Sequence, residues 1–187
     1  NYRNVLVLPK LIFPEEKVLR LEISENQISG RVIILTIEYE DILNADGFDD
    51  VLLGVPCDES AGENAGKTYL VFGKEELNWG EGFNLEDLSV GASFIGSGGS
   101  ASGHTVAGLG DINGDGYDDF AISAPLGLHE GLVVGKTYLI LGATSSTWSM
   151  GTSLESATAS FRGEGEGDQA GYSVASVGDV NNDGLDD

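Results

Sequence analysis

The residues best suited to chemistry in this chain are oxygen donors set at fixed intervals. In Asp111-Ile112-Asn113-Gly114-Asp115-Gly116-Tyr117-Asp118-Asp119, side-chain oxygens fall at positions 1, 3, 5 and 9, with a glycine at 6. That spacing lets a tightly curved loop turn Asp111, Asn113, Asp115 and Asp119 inward, and the glycine permits the sharp bend. Tyr117, at position 7, would add its backbone carbonyl. Three carboxylates and an amide oxygen around one point are ligands for a hard cation such as Ca2+. Without the ion, carboxylates so close repel one another, and at least one tends to protonate.

The pattern occurs three times. A second full copy offers Asp179, Asn181, Asp183, the Leu185 carbonyl and Asp187. A degraded copy near the amino end has Ile42 at its first position, leaving Asn44, Asp46, the Phe48 carbonyl and Asp50. Asp41 lies one residue early and could substitute, so weaker affinity is expected there. Ordinary turn chemistry does not account for the full copies, because a hairpin turn needs only a dipeptide such as Asp-Gly. An EF-hand needs a glutamate at position 12 and flanking helices. Here position 12 is Ile122, within the apolar run Phe120-Ala121-Ile122-Ser123. The loop is therefore expected to join two strands.

What must position these loops is itself repeated. Gly66-Lys67-Thr68-Tyr69-Leu70-Val71-Phe72-Gly73 recurs as Gly135-Lys136-Thr137-Tyr138-Leu139-Ile140-Leu141-Gly142. Residues 103–119 align without gaps to residues 171–187, and ten of the 17 positions are identical. Around the loops lie short apolar runs: Val51–Pro56 and Phe120–Pro125 after them, Tyr69–Phe72 and Tyr138–Leu141 further on, Thr105–Leu109 and Ser173–Val177 before them. Short strands bounded by Gly, Asn and Asp at regular spacing predict an all-β protein. Repeats of this length predict propeller blades, each of about 68 residues with generous loops.

Composition sharpens the division of the chain. Its 187 residues carry 31 Asp and Glu against 9 Lys and Arg, a net charge of −22, and 28 glycines. Residues 1–40 hold five basic residues, six acidic ones and one glycine, so residues 41–187 carry 25 acidic and 4 basic residues and 27 glycines. The first segment is strand-rich, with Val32–Ile37 as its clearest run, but it lacks the later glycine punctuation. A surface this negative repels phosphates and anionic lipid, which argues against nucleic-acid binding and membrane-surface binding. No apolar run reaches the roughly 18 residues of a membrane span. Cys57 alone cannot form an internal disulfide. No signal peptide is visible, and a chain beginning at Asn1 is compatible with processing or truncation.

The repeat resembles the FG-GAP repeats of the integrin alpha-chain β-propeller, found also in bacterial surface and secreted proteins. Phe94-Ile95-Gly96 and Phe161-Arg162-Gly163 stand for the Phe-Gly element of that family. Gly54-Val55-Pro56 and Ser123-Ala124-Pro125 stand for the Gly-Ala-Pro element, with the acidic loop between. The resemblance covers about residues 41–187. Residues 1–40 depart from it, as a divergent blade, a junction with another domain or a reading-frame fault would. The family implies a closed propeller, commonly of seven blades. Fewer than three repeats fit here, so a partial, open propeller of two to three blades is expected, joined by further blades of a longer chain.

Two motifs look catalytic and fail. Gly-Lys-Thr at 66–68 and 135–137 resembles a phosphate-binding loop, but three residues rather than four separate it from Gly62 and Gly131. Gly171-Tyr172-Ser173-Val174-Ala175 lacks the final glycine of a nucleophile elbow and repeats Gly103-His104-Thr105-Val106-Ala107. His104 is expected to pack, His129 beside Glu130 to be solvated, and Trp79 and Trp148 to lie between blades. The run at 163–168 is expected to form a solvated loop. No acid–base pair emerges, so the chain is not expected to be an enzyme. The resemblance implies adhesion or recognition of a protein or glycan, in an extracellular, cell-surface or periplasmic setting where calcium is abundant. The alternative is an accessory domain of a secreted phospholipase- or polysaccharide-acting hydrolase.

Overall fold

The computed structural model describes residues 34–36, 46–48, 50–73 and 91–187. Among these, regular structure is almost entirely strand, with two short 3-10 turns at Ser145–Thr147 and Leu154–Ser156. The strands are β1 (Ile34–Thr36), β2 (Val51–Val55), β3 (Lys67–Val71), β4 (Gly91–Ile95), β5 (Val106–Gly110) and β6 (Asp119–Ala124). They continue with β7 (Leu128–His129), β8 (Leu132–Val133), β9 (Lys136–Ile140), β10 (Thr152–Ser153) and β11 (Ala159–Arg162).

Two sheets carry the repeat. One has the order β1-β2-β3-β4 with β10 added at its edge, and the other the order β11-β9-β6-β5. Pairing within each four-stranded set is antiparallel. The two sets correspond strand for strand: β1 with β5, β2 with β6, β3 with β9, and β4 with β11. These are the all-β, propeller-type blades the repeat led one to expect. The composition boundary near residue 41 does not interrupt the first sheet, since β1 lies before it and pairs with β2 after it, Leu35 opposite Leu53.

Alternation along the strands explains why blades stack. In β2, β3 and β4 the side chains of Leu52, Leu70, Ala92 and Phe94 share one buried cluster with residues of the second sheet. The second sheet contributes Phe120, Ile122, Ala124, Tyr138 and Ile140 from the face turned towards the first. The Phe94 and Phe120 rings meet edge-on with centroids 5.4 Å apart. Trp148 sits in the same seam, 6.2 Å from both Phe72 and Phe120, as expected for a tryptophan between blades. Trp79 lies outside the described residues.

The Gly-Lys-Thr motif is architectural. Gly135 has φ +78°, and a β-carbon there would lie 2.2 Å from the backbone nitrogen of Ala170; at Gly66 it would lie 2.1 Å from the Ser102 carbonyl oxygen. Both glycines therefore allow two chain segments to touch, and strands rather than helices follow them. One expected strand differs. Ser173–Val177 has the sequence of β5 but is not strand and is largely exposed. β5 is held by β6, which follows its acidic loop, whereas Ser173–Val177 pairs with no strand among the described residues.

Candidate metal centre

The acidic loop of residues 111–119 connects β5 to β6, and its form follows from its own hydrogen bonds. Asp111 accepts the N–H groups of Gly114 at 2.7 Å and Asp115 at 3.1 Å through Oδ1, and that of Gly116 at 2.8 Å through Oδ2. Asp115 Oδ1 accepts the N–H of Tyr117 at 3.0 Å. Asn113 Oδ1 accepts the N–H of Asp115 at 2.8 Å, while its amide donates to Asp115 Oδ2 at 3.0 Å. The loop is thus wound tightly about Asp111.

The second loop repeats this geometry. Asp179 accepts from Asp183 at 3.1 Å and Gly184 at 2.8 Å, and Asp183 accepts from Leu185 at 3.0 Å. Asp187 Oδ2 accepts from Val180 at 3.0 Å, as Asp119 Oδ2 does from Ile112 at 3.1 Å. Asn181 differs from Asn113: its amide donates to Asp187 Oδ1 at 3.3 Å. In the degraded copy Asp46 accepts from Phe48 at 3.0 Å, and Asp50 is buried at the start of β2. Asn44 and Asp41 lie outside the described residues.

The two full loops lie side by side. The N–H of Asp186 donates to the Asp111 carbonyl at 3.4 Å. Gly110 and Gly114 face Asp186 and Leu185 so closely that a β-carbon would stand 2.0 Å and 3.1 Å from them. Elsewhere on the repeat, the His104 ring packs at a tilt against Tyr172 with centroids 4.9 Å apart, and the Thr105 hydroxyl donates to the Tyr172 carbonyl at 3.2 Å. His104 therefore packs, as its place in the repeat suggests. His129 lies 3.8 Å from Glu130 at the β7–β8 hairpin.

Electrostatics distinguish the members of the first full loop. The N–H of Gly116, followed by those of Gly114 and Asp115, holds Asp111 below the usual carboxylate range. Burial pushes Asp119 above that range, and the charges of Asp115 and Asp111 push in the same direction. Three carboxylates thus act on one region. Among the described residues, no three His, Cys, Asp or Glu side chains are drawn into a group that could hold a metal as they stand. The donors have the right chemistry, but their oxygens are engaged with backbone N–H groups.

Sequence reasoning missed a second task for the ninth position. Asp119 is fully buried, and its Oδ1 accepts the N–H of Gly142 at 2.7 Å. Asp50 does the same for Gly73 at 2.8 Å. The signal was present, because Gly73 and Gly142 close the repeated Lys-Thr-Tyr-Leu octapeptides.

Comparison with known proteins agrees with this architecture. Residues 102–140 match the FG-GAP repeat family, a span that holds β5, the acidic loop, β6 and β9. This span is an FG-GAP repeat of the integrin alpha-like kind. Residues 1–47 match a domain of unknown function, DUF4138. The chain is similar to integrin alpha-4 of Xenopus laevis, 30% identical over 152 residues, which is 78% of this chain and 13% of that protein. It is similar to human integrin alpha-8, 37% identical over 95 residues, 48% of this chain and 8% of that protein. Integrin alpha-PS2 of Drosophila melanogaster is 34% identical over 109 residues, 54% of this chain and 7% of that protein. The FG-GAP chain therefore spans a small part of the length of these relatives. Among its described residues, no helix is long and apolar enough to cross a membrane.

Proposed function

We propose that this chain is a calcium-binding FG-GAP propeller segment serving adhesion or recognition of a protein or glycan outside the cytosol. The observation that carries the reading is the recurrence of one oxygen-lined loop, with the same hydrogen bonds to the same positions, at Asp111–Asp119 and Asp179–Asp187. Asp111, Asn113, Asp115, Asp119 and the Tyr117 carbonyl would hold one ion. Asp179, Asn181, Asp183, Asp187 and the Leu185 carbonyl would hold another, and Asn44, Asp46, Asp50 and the Phe48 carbonyl a weaker third. The bound ion would supply positive charge where three carboxylates otherwise repel. The composition boundary is read as the end of an atypical amino-terminal segment, 1–40, that contributes β1 to the first blade of the repeats at 41–187.

In this reading the loops set strand geometry, and the partner meets other surfaces. Similarity to integrin alpha chains supports the adhesion reading and a cell-surface or secreted address. No catalytic role is assigned to the blades. The test is thermal unfolding in EDTA and in millimolar calcium. Binding to the native state alone raises the melting temperature, with about 2.7 kcal/mol gained at a hundredfold excess over Kd. An unchanged melting temperature would sink the calcium reading and leave the fold untouched.

A further inference from the structure

Asparagine is among the thermolabile residues, and most so before glycine, whose bare α-carbon lets the next amide nitrogen reach the side-chain amide. Asn113-Gly114 is the one Asn-Gly pair in this sequence. The three acidic loops agree at the donor in position 3, Asn44, Asn113 and Asn181, but follow it with Ala45, Gly114 and Asn182. Packing explains the glycine. Gly114 has φ +77°, and a β-carbon there would stand 3.1 Å from Leu185 Cδ2 of the neighbouring loop. Its counterpart Asn182, at φ +61°, makes the same left-handed turn with a side chain in place.

Deamidation at such a pair needs the Gly114 nitrogen as nucleophile, Asn113 Cγ as its target and Asn113 Nδ2 as the leaving group. In the folded loop each is held. The Gly114 N–H donates to Asp111 Oδ1 at 2.7 Å, Asn113 Nδ2 donates to Asp115 Oδ2 at 3.0 Å, and Asn113 Oδ1 accepts the Asp115 N–H at 2.8 Å. A carboxylate against the Gly114 N–H opposes loss of its proton, because the nitrogen anion would face a like charge. The two Asp115 bonds fix the side chain that would have to turn. We infer that Asn113 is a spontaneous deamidation site that the folded loop keeps closed, and that it reacts whenever this loop opens while the loop at Asp179–Asp187 stays intact.

In the open loop the Gly114 nitrogen gives its proton to hydroxide and bonds to Asn113 Cγ. The Cγ–Nδ2 bond breaks, ammonia leaves with a proton taken from water, and a cyclic imide remains. Water then opens the ring at either carbonyl, giving aspartate or isoaspartate. The net change is water in and ammonia out, with nothing oxidised or reduced. Either product adds a carboxylate to a loop that already holds Asp111, Asp115 and Asp119, and isoaspartate also lengthens the main chain there. The change runs one way, so it records how long the loop has stood open. The glycine that lets two loops lie together is thus also what makes one of them perishable.

The test ages the 187-residue chain in EDTA, which keeps it separate from the calcium reading, and follows it by peptide-mapping mass spectrometry and isoaspartyl methyltransferase labelling. Expected is deamidation at Asn113 with Asn181 and Asn182 unchanged, at least about tenfold slower than in a synthetic Gly110–Asp119 peptide. The slowing should match the hydrogen-exchange protection of the Gly114 N–H, because one opening frees both. Asp111→Ala removes the acceptor and should bring the rate close to that of the peptide, and Asn113→Gln should abolish the signal. If the alanine variant unfolds, the match between rate and exchange in the native chain decides. Asp115-Gly116 and Asp183-Gly184 can isomerise only without loss of ammonia, so mass tells them apart. Reaction as fast in the folded chain as in the peptide overturns the inference. So do slowing unrelated to exchange, equal reaction at Asn181, or no reaction in either chain or peptide.

Discussion

The carboxylate of Asp119 accepts the backbone N–H of Gly142 at 2.7 Å, across the two strands β6 and β9. Because Asp119 also accepts the N–H of Ile112 at the start of the acidic loop, one side chain ties that loop to the end of the next strand. Asp119→Ala leaves the Gly142 N–H buried without its acceptor, and a loss of about 1–3 kcal/mol is expected. Gly142→Ala acts from the other side, since its β-carbon would lie 2.3 Å from the Asp118 carbonyl oxygen. A loss of about 1–3 kcal/mol is again expected from overpacking. Urea unfolding measures both, and a neutral Gly142→Ala would refute the close approach.

Charge and shape in the loops are separable. Asp115→Asn and Asp183→Asn keep an oxygen able to accept the Tyr117 and Leu185 N–H groups, so each loop retains its winding. Each variant is expected to remove one calcium equivalent in titration calorimetry, with the metal-free melting temperature little changed. Loss of both equivalents from a single variant would mean that the adjacent loops bind as one unit.

Tyr138 gives a pH signature. Burial, together with the hydrogen bond its hydroxyl donates to Glu155 at 2.9 Å, raises its ionisation far above the ordinary value of 10.0. A folded-state value above the unfolded one contributes stability that is present below pH 10 and lost as pH rises beyond it. Ultraviolet titration should therefore show Tyr138 ionising only as the fold opens, a component absent from Tyr138→Phe. Tyr138→Phe should cost about 1 kcal/mol near neutrality and remove that part of the alkaline loss.

Leu154 tests the seam. Truncation to alanine at a site 1% exposed should cost about 2–5 kcal/mol, whereas Leu128→Ala, at 47% exposed, should stay within about 0.5 kcal/mol. Equal effects would show that the seam does not hold the blades together.

Much of this was legible in the residues. The three acidic loops announced their spacing because turn chemistry and oxygen donors are both local. β2, β3, β5, β6 and β9 showed for the same reason, each being a short apolar run bounded by Gly, Asn or Asp. The bond from Asp119 to Gly142 was legible only as a repeat, in the matched glycines 73 and 142; which carboxylate receives each N–H is set by sheet pairing. β10 was not legible: Thr152-Ser153 has no apolar alternation and is strand only because Ser93 of another blade receives it. Ser173–Val177 shows the converse, a strand-like sequence that pairs with no strand among the described residues.

The placement of Phe94 against Phe120 has a consequence for how such a chain can change over generations. Each of these rings answers to a ring in the neighbouring repeat rather than in its own. A whole unit can be duplicated or deleted and leave a comparable apolar joint, with Phe161 in the place of Phe94 and Val51 in the place of Phe120. A single altered ring is different: it must be compensated across the joint, and that coupling keeps neighbouring units matched while the surface loops drift.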